Sequence, residues 1–324
     1  MLRFARGPVT PSNPERTTDV GRRRKHGRDL TGIVLLDKPV GIGSTEVLQR
    51  VKNLFQVRKA GHTGSLDRLA SGLLPLCFGE ATKISGFLLD ADKRYRSTFR
   101  LGVVTNTGDA EGEVLERHEP PKLTEREILR VFAQFHGEIE QIPPMHSAIK
   151  VQGQRLYKLA HQGLTVEREP RPVTIHRLAL LDHGDGRLHV EVDCSKGTYI
   201  RTLAEDIGKR IGCGASVESL HRLGAGPFDA KDMVPYAELV ERAERGLDAL
   251  DEVLLPIEAA VAHWPGVKLP DAVAYYLRRG QPVLVPHAPT EGWVRIFAGG
   301  DRFVGVGEVL DDGRVAPRRL MNAG

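Results

Sequence analysis

The densest group of residues that could carry out chemistry lies at residues 61–72. This segment reads Gly-His-Thr-Gly-Ser-Leu-Asp-Arg-Leu-Ala-Ser-Gly, so that an imidazole, His62, and a carboxylate, Asp67, lie among three glycines. Glycine adopts positive φ and lets the backbone approach a ligand closely, so such a loop can present both side chains at a pocket. A glycine-rich turn in which Asp67 only caps the backbone is the alternative that the residues alone leave open.

Common motifs of other enzyme classes do not match the sequence. No Gly-Lys-Ser/Thr follows at the spacing of a phosphate-binding loop, and Gly64-Ser65 lacks the Gly-x-Ser-x-Gly pattern of a serine nucleophile. Cys77, Cys194 and Cys213 are scattered and form no CxxC or Cys/His metal pattern. We therefore predict reduced, packed thiols in a cytoplasmic protein, and we expect no metal and no cofactor.

Composition and charge favour a soluble protein that binds a polyanion. The 324 residues are 40% hydrophobic and 27% charged, with a net charge of +4 and a pI of about 9.0. No apolar run approaches the roughly 20 residues that cross a bilayer, and no signal-peptide pattern opens the chain. Basic residues crowd at 22–28, 94–100 and 314–319. Three such patches suit a long, charged ligand.

The elements that must position the 61–72 segment alternate between strands and helices. We predict a strand at 33–36, a helix after Ser44, a long loop over 58–79 and a strand at 95–101 with one basic face. Thr124 and Glu127 form a capping box before a further helix. A strand at 188–194 should run through 195–199 into a helix that Gly212 ends. Without regular βαβ alternation, this pattern favours an α+β fold.

The character of the chain changes after a junction at about 256–270. A helix near 272–278 and strands at 283–285, 294–297 and 303–309 predict a small β-rich module. The predicted organisation is thus a disordered basic tail at 1–28, a catalytic domain at 29–256 and the β-rich domain at 264–322.

A set of motifs in fixed order resembles the TruB family of bacterial tRNA pseudouridine synthases. The resemblance covers residues from about 30 to 321, and the motifs that carry it are Lys38-Pro39, residues 60–72, 79–83, 92–95, 143–150, 155–157, 195–203, 220–223 and 315–320. It implies a pseudouridine synthase fold with a mixed, largely antiparallel sheet and a PUA-like C-terminal domain. It also implies isomerisation of uridine 55 in the T-arm of tRNA by base flipping, without a cofactor and by a monomer that needs no guide RNA.

The resemblance also assigns roles to individual residues. Asp67 matches the catalytic aspartate, and Arg201 matches the arginine that pairs with it; an adjacent guanidinium favours the ionised carboxylate. His62 matches the residue that enters the RNA loop. Tyr95 and Tyr199 match the aromatic residues that flank the flipped uracil, and Leu220 matches an apolar contact to it. For both tyrosines, simple packing in the protein core remains the alternative.

Further residues are predicted to contact RNA more loosely. They are Lys83, His146, Lys150, Arg318 and Arg319. His146 and Lys150 could equally belong to a solvated surface segment, and Lys83 could pair with a carboxylate. Arg318 and Arg319, with Arg314, would hold the RNA backbone through charge and not through base sequence.

One residue departs from the family pattern. Arg68 follows Asp67, where the family usually has proline. Arginine frees φ and restores an N–H, so we expect a less rigid loop and a guanidinium that could compete for Asp67. Two other functions stay open: a dyskerin-like enzyme directed by a guide RNA, and a tRNA chaperone or binding module without catalysis. Residues 143–150 and 155–157 favour the stand-alone enzyme, and the joint presence of Asp67, Tyr95 and Arg201 argues against a pure binding module.

Overall fold

The computed structural model describes residues 27–147, 149–151 and 153–322. Most of the predicted basic tail, residues 1–26, lies outside the described residues. Arg28 is described, and its Nη1 donates a hydrogen bond to Oδ1 of Asp251 at 3.1 Å. Residue 28 therefore contacts the folded domain through a helix more than two hundred residues further along the chain.

Strands dominate the chain, and helices connect them. The strands are β1 (Gly32–Lys38), β2 (Ala60–His62), β3 (Ser71–Phe78), β4 (Lys93–Leu101), β5 (Val103–Thr105), β6 (Val114–Arg117), β7 (Gly137–Gln141), β8 (Lys150–Val151), β9 (Gln154–Arg155), β10 (Arg171–Gly184), β11 (Arg187–Cys194), β12 (Ala215–Ala225), β13 (Phe228–Asp229), β14 (Val234–Pro235), β15 (Gly266–Leu269), β16 (Val283–Leu284), β17 (Gly292–Ala298), β18 (Arg302–Val309) and β19 (Arg314–Leu320). The helices are α1 (Ser44–Leu54), α2 (Ser85–Leu89), α3 (Glu125–Phe132), α4 (Leu156–His161), α5 (Ile200–Ile211), α6 (Tyr236–Arg245), α7 (Leu247–Asp251) and α8 (Asp271–Arg278).

A ten-stranded mixed sheet forms the centre of the larger domain. Its main path runs β14-β1-β3-β12-β4-β11-β10-β7, while β13 pairs with β12 and β2 with β3. Most neighbours are antiparallel; β1 with β14 and β3 with β12 are parallel. Helices α1, α3 and α5 pack their apolar faces on the sheet through residues such as Val47, Ile128 and Leu203. The predicted α+β class and largely antiparallel sheet are confirmed.

Several local predictions are confirmed by particular residues. The Thr124 hydroxyl accepts a hydrogen bond from the Glu127 N–H, and the Glu127 carboxylate accepts one from the Thr124 N–H, which completes the capping box of α3. Gly212 ends α5 in the left-handed conformation, with φ of 94°. Strand β4 buries Phe99 and Leu101 while Arg96 is exposed.

The predicted loop over residues 58–79 is wrong at residues 60–62, which form β2, and throughout its second half. Residues 71–78 form β3, an almost wholly buried strand whose residues 72–78 pair with the whole of β1. The glycine content favours a loop, but the run Leu73-Leu74-Pro75-Leu76 is apolar on both faces, as a central strand requires. Tertiary pairing therefore overrides the local turn signals here, and it shortens the loop that carries Asp67.

The C-terminal module has its own core. Strands β15-β17-β18-β19-β16 form a five-stranded sheet, and α8 packs on it through Ala274 and Leu277. The predicted helix and three strands are present, whereas β15 and β19 were not predicted. Trp264 and Trp293 stack at 5.3 Å between ring centroids, and Phe87 of α2 packs edge-on against both rings, which joins the module to the larger domain.

None of the helices in the described residues is long and apolar enough to cross a membrane. The three cysteines are buried and unpaired, as predicted.

Candidate active site

A cavity of about 590 Å³ opens where the loop after β2 faces strands β4 and β12 and the start of α5. Its walls include His62, Asp67, Tyr95, His146, Tyr199, Arg201 and Leu220. These seven residues are spread over about 160 positions of the sequence, so only the folded chain brings them together. A concave site of this volume with convergent polar groups is typical of a ligand-binding pocket.

The loop that presents Asp67 is fastened at both ends. The hydroxyl of Ser44, the first residue of α1, accepts from the Leu66 N–H at 2.7 Å and donates to the Leu66 carbonyl at 2.8 Å. The Gly41 N–H donates to the Arg68 carbonyl at 2.7 Å. Gly72 has φ of 96°, and a Cβ there would meet the Arg222 carbonyl oxygen at 2.4 Å. Only glycine fits this close crossing of β3 and β12.

Asp67 and Arg201 form an ion pair at the cavity, with Oδ2 of Asp67 3.0 Å from Nε of Arg201. The Arg201 side chain is 6% exposed, whereas that of Asp67 is 44% exposed and faces the open cavity. Arg201 is the second residue of α5, two positions after Tyr199. The predicted partners are therefore brought together across 134 residues of sequence, with the carboxylate on the accessible side.

Three further acceptors fix the guanidinium of Arg201. Nη1 donates to the Thr107 carbonyl at 3.0 Å and lies 3.7 Å from Oδ2 of Asp109, and Nη2 donates to the His146 carbonyl at 2.8 Å. Asp109 is buried, and its carboxylate accepts hydrogen bonds from the Thr107 hydroxyl and the Glu111 N–H. Arg201 is thus held rigidly while one edge is left for Asp67.

Partial burial raises the pKa of Asp67 above its ordinary value, because protein atoms on the enclosed side of the carboxylate replace part of its hydration. The nearby charge of Asp109 raises it further, while Arg201 and, more weakly, Lys38 and His146 lower it. Without Arg201, the pKa of Asp67 would be raised further. The arginine is therefore the main local source of the ionised form that a nucleophile or base requires.

Tyr95, Tyr199 and Leu220 provide apolar surface at the cavity. Tyr95 lies on β4, and Leu220, 9% exposed, lies on the neighbouring β12. The backbone N–H of Tyr199 donates to Oε1 of Gln141 at 3.0 Å, which fixes the residue before α5. Two aromatic rings and an aliphatic side chain can hold a planar ring by stacking and contact.

His62 ends β2 and stands at the mouth of the cavity. Burial, together with the charge of Arg222, lowers the pKa of its imidazole, so the ring is neutral near pH 7. Within the described part of the chain, its buried Nδ1 atom has no hydrogen-bond partner. An unsatisfied polar atom at a cavity mouth suits a ligand that completes the site.

Arg68 in the loop and Lys38 beside it are cations near Asp67, but neither forms an ion pair with it among the described residues. Among the described residues, the carboxylate of Asp67 pairs with Arg201 and not with Arg68. Lys38 is fully buried, and its Nζ donates to the carbonyls of Pro39 and Ile42 at 2.8 and 2.7 Å. Burial lowers the pKa of Lys38 to about 8. These two contacts of Lys38 fix the turn at residues 39–42, and this turn contains Gly41, whose N–H donates to the Arg68 carbonyl of the loop.

The structure places the predicted RNA-contacting residues in three regions. His146 lines the cavity, and Lys150 lies exposed on the nearby β8–β9 hairpin. Lys83 lies away from the cavity, where its Nζ contacts the Glu80 carboxylate at 2.5 Å and the Leu320 carbonyl at 3.0 Å. Arg318 and Arg319 are exposed on β19, and Arg318 pairs with Glu308 at 2.7 Å. All five remain predictions as RNA contacts.

Sequence reasoning missed three residues around the cavity: Lys38 in its supporting role, Asp109 and Arg222. Asp109 stands in an ordinary Thr-Gly-Asp turn and gave no signal. Arg222 lies in a stretch that carries the resemblance, but its type alone did not distinguish a buried side chain from a surface one. No group of three or more His, Cys, Asp or Glu side chains that could hold a metal is found among the described residues.

Comparison with known proteins defines the family. The model described as TruB family pseudouridylate synthase (N terminal domain) matches residues 52–200. The models for the tRNA pseudouridylate synthase B C-terminal domain and for Pseudouridine synthase II TruB, C-terminal, match residues 201–262 and 265–321. The chain belongs to the TruB family of pseudouridylate synthases, which confirms the resemblance and the prediction of an enzyme.

Curated relatives match nearly the whole chain. A protein of Nitrosococcus oceani named tRNA pseudouridine synthase B is 58% identical over 93% of this chain and 97% of its own length. Proteins of the same name from Stutzerimonas stutzeri and Coxiella burnetii are 54% and 51% identical over 91% of this chain and 97% and 96% of theirs.

Solved structures share the fold. The chain is 27% identical, with a TM-score of 0.71, to a chain in the crystal structure of a Cbf5-Nop10-Gar1 complex, covering 89% of this chain and 84% of the other. A chain from the structure of an H/ACA RNP bound to a substrate RNA containing 2'-deoxyuridine has a TM-score of 0.69 at 24% identity, covering 90% of this chain and 85% of that one, and shows likeness of fold alone.

Proposed function

We propose that this chain converts uridine 55 in the T-arm loop of tRNA into pseudouridine, with Asp67 as the catalytic carboxylate. The observation that carries the proposal is the Asp67–Arg201 ion pair at a cavity walled by Tyr95, Tyr199 and Leu220. The names of the curated relatives support tRNA as the substrate. The position within tRNA and the role of each residue are parts of the proposal.

The reaction requires what the cavity contains. The N1–C1′ bond of uridine must break, the free uracil must turn, a C5–C1′ bond must form, and C5 must lose its proton. No electron and no external heavy atom is gained or lost. An ionised carboxylate can act on the uridine or its ribose, and a proton acceptor completes the sequence.

Base flipping accounts for the remaining groups. A uridine inside a folded loop must leave its stack at a cost of a few kcal/mol. Stacking on aromatic side chains, about 1 to 3 kcal/mol per base, offsets that cost. Tyr95 and Tyr199 would hold the flipped base, Leu220 would contact its edge, and His62 at the cavity mouth would occupy the vacated space in the RNA loop.

The ion pair also argues against a pure binding module. Burying Arg201 and Asp109 carries a desolvation penalty, and a positively charged RNA-binding surface gains nothing from it. A catalytic carboxylate does require a fixed arginine beside it, because it must stay ionised in spite of its own burial. We propose that the chain acts without a guide RNA, in the cytoplasm and as a monomer; the Nop10 and Gar1 assembly belongs to the neighbouring structure.

The test is tritium release from an unmodified tRNA transcript labelled at uracil C5, with purified protein and no other RNA. Wild type should release one label per tRNA, and Asp67→Asn none. Asp185→Asn, an exposed aspartate at the β10–β11 turn, is the matched control and should behave as wild type. A transcript with cytidine at position 55 should release nothing. Release from that transcript would show that another uridine is the target. Release by Asp67→Asn would show that the carboxylate is not required for the reaction.

A further inference from the structure

A polar cluster of Glu80, Lys83 and Asn322 fastens the end of the C-terminal module to the larger domain; we call these three residues the clasp. Nζ of Lys83 contacts the Glu80 carboxylate at 2.5 Å and donates to the Leu320 carbonyl at 3.0 Å and to Oδ1 of Asn322 at 3.1 Å. The Asn322 N–H donates to Oε2 of Glu80 at 2.7 Å, and its side-chain amide donates to Oε1 at 3.3 Å. Four of these five contacts join residues that are 237 to 242 positions apart in the sequence.

Met321, next to the clasp, connects the two domains by packing. Its side chain is 7% exposed and belongs to the same buried apolar cluster as Ile33 of β1 and Cys77 of β3 in the larger domain. Its backbone N–H donates to the Val304 carbonyl of β18 in the C-terminal module at 2.9 Å. The backbone of Met321 is therefore bonded to the module while its side chain is buried with the large sheet.

The charges and donors of the clasp are used within it. Burial raises the pKa of the Glu80 carboxyl, but hydrogen bonds from Lys83 and Asn322 outweigh this effect and hold the pKa below its ordinary value. An ammonium group has three N–H donors. Those of Lys83 have three acceptors here, in Glu80, Leu320 and Asn322. Lys83 therefore has its hydrogen bonds satisfied inside the protein, without an RNA phosphate.

The clasp holds the strand that carries the basic face of the module. Arg318 and Arg319 are exposed on β19, and Leu320, whose carbonyl accepts from Lys83, is the last residue of that strand. A strand advances about 3.3 Å per residue. Arg319 thus lies one residue from a point that is bonded to the larger domain, so the direction of β19 is set relative to the large sheet.

We propose that Glu80 and Lys83 are positioning residues for the substrate: by clasping Asn322, they hold the basic strand β19 at a fixed distance and orientation from the Asp67 cavity, so that one tRNA contacts both. This inference rests on the proposed function. Two binding surfaces in a fixed relation bind one long ligand more tightly than two freely jointed surfaces, because the second contact then costs less conformational entropy. The clasp does not line the cavity, so a substrate too short to reach β19 does not depend on it.

The experiment compares two substrates labelled with tritium at uracil C5, a full tRNA transcript and an isolated T-arm hairpin. Lys83→Met removes the three donors, and Glu80→Gln replaces one of the two acceptor oxygens by an amide. In both variants the dissociation constant and the KM for the full transcript should rise about 3- to 10-fold, the scale of a partly exposed ion pair with its hydrogen bonds. The kcat for the transcript and all constants for the hairpin should stay at wild-type values.

Two further variants serve as controls. Lys83→Arg keeps the charge and several donors, so its constants should lie closer to those of wild type. Glu46→Ala breaks the ion pair of Glu46 with Arg50 on the surface of α1, at 2.7 Å, and is the matched control for losing a carboxylate outside the clasp. It should behave as wild type with both substrates.

Tryptophan fluorescence reports the position of the module directly. Trp264 and Trp293 are the two tryptophans of the chain, and both rings pack against Phe87 of the larger domain. Lys83→Met and Glu80→Gln should shift the emission to longer wavelength, because a loosened module lets water reach the rings. Glu46→Ala should leave the emission unchanged. Weaker binding of tRNA with wild-type emission in both clasp variants would overturn the proposal.

The two substitutions in the clasp also separate it from a direct contact of Lys83 with RNA. Glu80→Gln leaves the charge of Lys83 free for a phosphate, so weaker binding of tRNA in Lys83→Met alone would mean a direct contact and overturn the proposal. Equal losses with transcript and hairpin would overturn it as well. If Lys83→Met does not fold, Glu80→Gln decides. Failure of wild type to release label from either substrate would instead defeat the proposed function itself.

Discussion

Asp109 and Arg201 lie 3.7 Å apart, and each side chain is at most 6% exposed. The pair is more enclosed than the neighbouring pair of Arg201 with Asp67. Asp109 therefore orients the arginine from the protein side, while Asp67 faces the cavity. The two carboxylates share one guanidinium, but only one can meet a substrate.

Asp109→Asn should reduce turnover while leaving Asp67 in place. The amide retains the shape and the contact to Thr107 but no longer holds the guanidinium by charge. We expect kcat to fall by about 10- to 100-fold, or ~1.4 to 2.7 kcal/mol of barrier, with little change in tRNA affinity. Tritium release and filter binding measure the two quantities, with Asp185→Asn as control. A loss of affinity equal to the loss of turnover would contradict an orienting role.

The pH dependence should report the ionisation of Asp67. Activity requires the carboxylate, so it is lost as the pH falls through the pKa of Asp67, which burial raises and Arg201 lowers. Arg201→Gln removes the opposing charge, so the acidic limb of the kcat/KM profile should move to higher pH; Arg201→Lys should move it less. An acidic limb at the same pH in wild type and Arg201→Gln would mean that another group controls it.

Gly72→Ala should destabilise the fold strongly. Alanine is strained at φ of 96°, and its Cβ would meet the Arg222 backbone oxygen at 2.4 Å. Gly137→Ala is the control, because Gly137 has φ of 86° and open space around it. The control should lose about 1 kcal/mol of unfolding free energy, and Gly72→Ala clearly more. Equal losses in denaturant unfolding would show that the β3–β12 crossing tolerates a methyl group.

Arg68→Pro should stiffen the Asp67 loop. The Arg68 carbonyl accepts from Gly41, a contact that proline can keep. We expect a gain of about 0.4 to 1 kcal/mol in stability and a modest rise in kcat/KM. Arg68→Ala removes the charge without restricting φ, so it separates the two effects. Unchanged turnover and affinity in Arg68→Pro would contradict the prediction and show that the loop gains no stiffness from proline.

The sequence by itself determined the elements that local physics specifies. The capping box of Thr124 and Glu127, the left-handed end of α5 at Gly212 and the alternation of β4 and β11 depend on residues a few positions apart. The linked motifs also identified the family and nominated Asp67 and Arg201, which the fold brings to 3.0 Å.

Only the tertiary structure decided which charges are buried and what they contact. The glycine content of residues 58–79 predicts a loop because it is a local signal, whereas the burial of β3 comes from pairing with β1. Asp109 and Arg222 have partners about 90 to 160 residues away, and side-chain type does not encode such distances. The free energy of a buried charge depends on its surroundings, and those surroundings exist only once the sheet has assembled.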